Sequence, residues 1–133
     1  IAGQVLGGVA GTACANSMFA LPVFSLSHHA RTGSAQWFSE FVATFGLLLV
    51  IRNGERFFPD RLAFAVAAYI AAAYWFTAST SFANPAVAMA RSLSDTFAGI
   101  RPQDVPAFIA AQISGGFSGV AVSDWLCRRP ADT

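Results

Sequence analysis

The chain has 133 residues, 55% of them hydrophobic and only 11% charged, with a formal net charge of +1 and no lysine. A soluble domain carries about 25% charged residues, so a membrane protein is expected. A nucleic-acid surface is disfavoured, because it needs a clustered basic face.

The first apolar segment runs from Ile1 to about Leu26, "IAGQVLGGVAGTACANSMFALPVFSL". It is rich in small residues, as helix contacts in lipid often are. No charged leader opens it, so a cleavable signal peptide is not expected. The loop "SHHARTG" follows, with His28, His29 and Arg31 expected to be solvated. Two adjacent histidines without a nearby cysteine or acid make a poor metal site. The second segment, Ala35 to Ile51, is at the short end for a spanning helix. A charged hairpin, Arg52 to Arg61, separates it from the third segment, "LAFAVAAYIAAAYWFTAST", which leads straight into "SFANPAVAMAR". The fourth segment, Val105 to Leu126, starts beside Pro102 and Pro106, where a helix start tolerates proline. It ends at Arg128 and Arg129. Those two arginines and the hairpin's Arg52, Arg56 and Arg61 are two spans apart, which puts both groups on one side, the cytoplasmic one by the positive-inside rule. Cys14 and Cys127 have neither zinc-ligand nor redox spacing and read as free thiols.

Two stretches repeat. "IAGQVLGGVAG" (Ile1 to Gly11) matches "IAAQISGGFSG" (Ile109 to Gly119) in Ile, Ala, Gln, the Gly-Gly pair and the last Gly, at one constant offset. Chance likeness between two small-residue membrane helices is one explanation. A duplicated unit is the other, and three spans per unit would make the copies inverted. The second unit would then be complete, and the first represented only by its last helix. The chain would lack about two helices and one half-helix, and a first Asn-Pro-Ala would fall upstream of Ile1.

Asn84 is a strong N-cap and Pro85 a favoured first helical residue, so a short helix is expected from Pro85 to Leu93. It is too short to span a bilayer. At membrane depth such a half-helix must be buried by protein or line an aqueous cavity. Its N-terminus disfavours cations, and the Asn84 amide can donate to a passing hydroxyl or water. The bland alternative is an ordinary capped helix after a loop. Glu40 lies inside the second apolar segment. An intramembrane carboxylate is costly and is usually paired or functional. It is expected to accept hydrogen bonds from backbone amides of the loop entering Asn84, the alternative being a proton relay. Asp124, near the end of its helix, is expected at the interface. Trp37, Tyr74, Trp75 and Trp125 read as anchors or packing residues.

Three stretches together carry a family resemblance: "SFANPAVAMARSL", the glutamate helix "SEFVATFGLLLV", and the helix starts "IAGQ" and "IAAQ". The sequence resembles the major intrinsic protein family, the aquaporins and aquaglyceroporins, from the family's third helix to its sixth. The resemblance implies an all-α membrane protein, an aquaporin-like bundle with inverted repeats, here about four transmembrane helices plus one re-entrant half-helix. Residues 1–26 would be the last helix of the first repeat, and 35–127 the second repeat with its half-helix at 84–93. It further implies a passive, multi-pass channel for small neutral solutes in a lipid bilayer, homotetrameric when full length, without catalytic residues, cofactor, metal or nucleic acid. Asn84, Pro85 and Ala86 would form the pore motif. The family usually places arginine directly after it, where this chain has Val87, with Arg91 one helical turn later. Ala72 and Ser81 match the other filter positions, so the constriction is expected to be wide and weakly polar. Arg91 would be a pore-mouth charge, unless it bends back to restore a charged, narrow filter. The absent filter arginine resembles a bacterial branch associated with arsenic-resistance operons. That implies permeation by water, glycerol-like polyols, arsenite or methylated arsenicals across the bacterial inner membrane. A non-conducting fragment that needs the missing repeat is the competing reading. An enzyme is not expected: no nucleophile elbow, phosphate loop or metal constellation occurs.

Overall fold

In the computed structural model, which describes residues 1–127, every regular element is helical. The order is α1 (Ala2–Met18), α2 (Ser34–Phe57), α3 (Leu62–Phe76), α4 (Pro85–Arg91) and α5 (Val105–Leu126). Short 3-10 turns at Pro59–Arg61 and Pro102–Asp104 lead into α3 and α5. Arg128 and Arg129, used above for orientation, lie outside the described residues.

The first apolar segment is helical only as far as Met18, not to Leu26. Ala20 takes a left-handed backbone, φ 56°. The Leu21 amide donates to Asn16 O at 2.9 Å and the Ala20 amide to Ser17 O at 3.2 Å. This pairing closes a helix through a left-handed residue, and Pro22 then disfavours a helical Leu21. Residues 19–33 cross the bundle end as an irregular strap, tied to the chain after α4 by Ser25 N to Leu93 O and Ser27 N to Ser92 O.

α2 is longer than its apolar run. The expected hairpin residues Arg52 to Phe57 are helical, and only Phe58 to Arg61 turn. Arg and Glu are good helix formers, and Arg52 donates to Asp124 Oδ1 at 2.8 Å from the surface of α5. Pro59 stops the helix. α3 ends at Phe76, so Thr77 to Ala83 form a non-helical entry to α4.

α2 and α5 run parallel and close together. A Cβ on Gly115 would collide with Phe41 O, and one on Gly119 would lie 2.5 Å from Phe45 O. Glycine here lets backbone approach backbone. α3 returns antiparallel to α2, with Tyr69 Oη donating to Ala43 O at 2.9 Å. α1 lies beside α4 in the same direction. Gly8 faces Ala86 and Ala90, and Thr12 Oγ1 donates to Ala90 O at 3.2 Å.

α2 and the helical stretch Pro102–Leu126 are long and apolar enough to cross a membrane. α1 and α3, at 17 and 15 residues, are shorter. The core is small: Ala43, Ala73, Ala88, Ile100 and Phe108 are fully buried, while Trp75 is 86% exposed and Phe64 79%. So many large apolar side chains on the outside, around a core that is more than half alanine, suit a lipid solvent rather than water.

Candidate functional site

The centre of the molecule is the seven-residue helix α4 and the loop that enters it. Asn84 is extended at the N-cap, and its Oδ1 accepts from Ala86 N at 2.8 Å. The cap occupies the oxygen, so the amide nitrogen is the Asn84 side-chain atom left to donate outward.

The loop before Asn84 is strained. Thr80, Ser81 and Ala83 all have positive φ, at 61°, 47° and 48°. Each such residue costs about 1–2 kcal/mol when it is not glycine, so surrounding contacts must hold the loop. Glu40 of α2, 0% exposed, supplies them. Its Oε1 accepts from Ser79 Oγ at 2.6 Å and Phe82 N at 2.9 Å. Its Oε2 accepts from Ala83 N at 3.0 Å and Gln112 Nε2 at 2.7 Å. Four donors compensate a buried carboxylate that would otherwise be prohibitive.

Two grooves follow one another along α4. The first, about 530 Å³, is lined by Gln4, Thr44, Asn84, Pro85 and Gln112 among others. The second, about 690 Å³, holds Val87, Ala90, Arg91, Thr96 and Phe97 against α1. Of the motif residues, Ala86 is buried towards Gly8. Val87 and Arg91 therefore share one groove, while Asn84 and Pro85 line the other. Ala72 and Ser81 line neither: Ala72 is exposed on α3, and Ser81 is buried with its hydroxyl unpaired among the described residues.

Arg31 departs furthest from the expected solvated loop. It is 4% exposed. Its Nε donates to Gly99 O at 2.7 Å, Nη1 to Ser79 O at 2.9 Å and Nη2 to Phe97 O at 2.8 Å. Its backbone amide donates to Asp104 Oδ2 at 2.9 Å. These partners lie 48 to 73 positions away, so "SHHARTG" carries no local signal of them. His28 does sit at the surface. Its amide donates to Asp95 Oδ1 at 2.8 Å, and its ring Nδ1 is 3.1 Å from Oδ2. That backbone hydrogen bond, then the ring contact, holds the Asp95 carboxyl below its ordinary value. Cys14 and Cys127 are both free thiols.

No protein-family profile matches the chain. No solved structure matches it either. Among curated proteins, the chain is similar to Aquaglyceroporin AqpS of Rhizobium meliloti, with 54% identity over 125 residues. The match takes in 94% of this chain and 54% of the relative, so the chain spans about half the length of the curated relative it matches. Identity at this level across nearly the whole chain, joined to an all-helical structure with an apolar exterior, makes this an all-α membrane protein that is similar in sequence to an aquaglyceroporin.

Proposed function

We propose that the chain forms the second half of a passive channel for small neutral solutes, together with the helix that closes the first half. The observation that carries this reading is the seven-residue helix α4, capped by Asn84 and anchored through its entry loop to the buried Glu40. A helix too short to span, held by a buried charge and flanked by grooves, suits a re-entrant pore segment. Asn84 donates to the solute, and the amino end of α4 disfavours cations. Glu40 keeps the strained loop in place. Val87 sets a wide bore, with Arg91 in the same groove one turn on, while the expected filter positions Ala72 and Ser81 stand apart from it. The small side chain of Val87 in the groove supports passage of solutes larger than water. The proposed permeants are water, glycerol-like polyols, and arsenite or methylated arsenicals.

The bounds follow the repeat: 1–26 as the last helix of a first unit and 35–127 as the second unit. Matched positions support the duplication. Gly115, Gly119 and Gln112 of α5 all contact α2. Their counterparts on α1 are open: a Cβ on Gly7 or Gly11 would meet nothing within 4 Å, and Gln4 is exposed. The open face of α1 also supports the second reading, a fragment that conducts only once a first repeat covers it. The full-length protein would be a homotetramer, crossing the bacterial inner membrane several times.

The test is stopped-flow light scattering on proteoliposomes. This chain and a version extended upstream through a first repeat each meet water, glycerol and arsenite gradients. Flux only in the extended version supports a pore built from two halves. Flux in the short chain means that copies complement one another. No flux in either folded, inserted protein overturns the channel reading.

A further inference from the structure

The chain has two histidines, and both stand in the strap of residues 19–33. The fold supplies an acid that the local sequence around them lacks. The His28 amide donates to Asp95 Oδ1 at 2.8 Å, and the ring Nδ1 lies 3.1 Å from Oδ2. One carboxylate thus holds both the backbone and the ring of one residue. The His28 side chain is 87% exposed and that of Asp95 43%, so both meet bulk pH.

The pair sits where two segments meet at the larger groove. The strap brings Phe19 and Leu21 to that groove, and the chain after α4 brings Ser94, Thr96 and Phe97. Asp95 lies between two of those lining residues. The strap is fixed at both ends. Asn16 Nδ2 donates to Val23 O at 3.0 Å near its start, and Arg31 grips Gly99 O and Phe97 O near its end. Between these anchors, the ties Ser25 N to Leu93 O, Ser27 N to Ser92 O and Asp95 N to Ser25 Oγ hold no titrating side chain.

The charged neighbours are engaged elsewhere. Arg101 pairs with Asp104 at 3.0 Å, Arg31 spends its guanidinium on carbonyls, and Arg91 at the end of α4 lies over Phe82. Glu40 of α2 is enclosed by its four donors, and α1 carries no charged side chain. His29 is the strap's other titrating group, and its carbonyl accepts from Arg101 N at 2.9 Å. Asp95 keeps its charge across neutrality, because the His28 amide and then the ring hold its carboxyl below the ordinary value. An imidazole changes charge between about pH 5 and 8. As pH falls through that range, a hydrogen bond of neutral imidazole becomes an ion pair. Only well below it does Asp95 itself protonate and the latch fail.

We infer that the strap and the chain after α4 form a pH-responsive gate at the mouth of the groove, with His28 as the sensor and Asp95 as its counter-charge. Proton binding to His28 tightens the grip and draws residues 94–98 towards Phe19 and Leu21, which narrows the mouth. The inference rests on the channel reading above and adds regulation to it, with no part for the residues of the bore.

The test uses the full-length protein in proteoliposomes, with the same pH on both sides. Glycerol flux is read by light scattering from about pH 8 to about pH 5.5, across the imidazole range. The parent's flux is expected to fall about twofold to fourfold, the scale of one exposed ion pair. His28→Gln keeps a hydrogen bond but cannot gain charge, and should hold flux near its high-pH value throughout. Asp95→Asn should do the same, while His29→Gln should keep the parent's fall. Limited proteolysis of the strap reads the grip directly. Cleavage of the parent should slow as pH falls over this range, and cleavage of His28→Gln should not. A parent flux independent of pH, a fall that persists in His28→Gln, or strap cleavage with the same pH profile in both proteins would overturn the gate. A parent without flux at any pH overturns the channel reading, and the cleavage profiles still decide the latch.

Discussion

Glu40 and Ala83 are 43 residues apart in sequence, yet the Glu40 Oε2 accepts the Ala83 amide at 3.0 Å, one residue before Asn84. The carboxylate thus fixes the direction in which the chain enters α4. Glu40→Ala would orphan Phe82 N, Ala83 N, Ser79 Oγ and Gln112 Nε2 at once. The expected loss is ~3–5 kcal/mol, the scale for removing one partner of a buried charge network. Thermal unfolding in detergent should show it. Glu40→Gln should recover part of the loss, because one amide oxygen can still accept. Equal stability of all three proteins would rule out the supporting role.

Val87 occupies the groove beside Arg91. A long guanidinium in its place should narrow that groove and add donors. Val87→Arg is therefore expected to cut glycerol or arsenite flux more than water flux in the full-length protein. Stopped-flow measurement decides it: equal loss of all fluxes, or no change, would remove Val87 from the filter.

The paired glycines test the duplication. Gly115→Ala drives a methyl into Phe41 O of α2. Overpacking of this kind costs about 1–3 kcal/mol. Gly7→Ala meets nothing within 4 Å in this chain and should leave its stability unchanged. In the full-length protein Gly7→Ala should become as harmful as Gly115→Ala, because a helix equivalent to α2 would lie against it. Melting temperatures of the four variants give the answer, and a harmless Gly7→Ala in both lengths would count against the repeat.

Asp95 ties the strap of residues 19–33 to the chain after α4 through His28 and Ser25. Its carboxyl is held below the ordinary value, first by the His28 amide. The folded form thus favours the carboxylate, so this contribution is full above the unfolded pKa and fades as pH falls through the folded one. Acidification should loosen the strap and speed its cleavage in limited proteolysis. Asp95→Asn should cleave faster at neutral pH and show a flatter acid dependence. Identical profiles for the two proteins would exclude the latch.

Much of this molecule is legible from local pattern. Composition alone demands lipid, because too little charge is present to clothe a soluble surface. The start and end of α5 match its apolar run, and Asn-Pro marks the start of α4, since cap and proline chemistry act within one turn. The buried Glu40 announces itself as a lone carboxylate in an apolar run. Where local signals compete, the pattern misleads. Arg52 to Phe57 have the charge of a hairpin but continue α2, since the helix of α5 offers Asp124 to pair with Arg52. Leu21 to Leu26 have the apolar content of a helix but form the strap, since a left-handed Ala20 leads into Pro22.

The sequence by itself determined the solvent, the helical class, the capped half-helix and the acid that needed partners, because apolar content, helix caps and an unpaired charge act at short range. Only the tertiary structure decided which arginine is spent and which is free. Arg31 sits in a polar loop by sequence, yet three carbonyls from distant loops enclose it, while Arg91, over the same Phe82 ring, has no side-chain hydrogen bond among the described residues. Burial and hydrogen-bond supply depend on which segments meet, and no short window of residues contains that information.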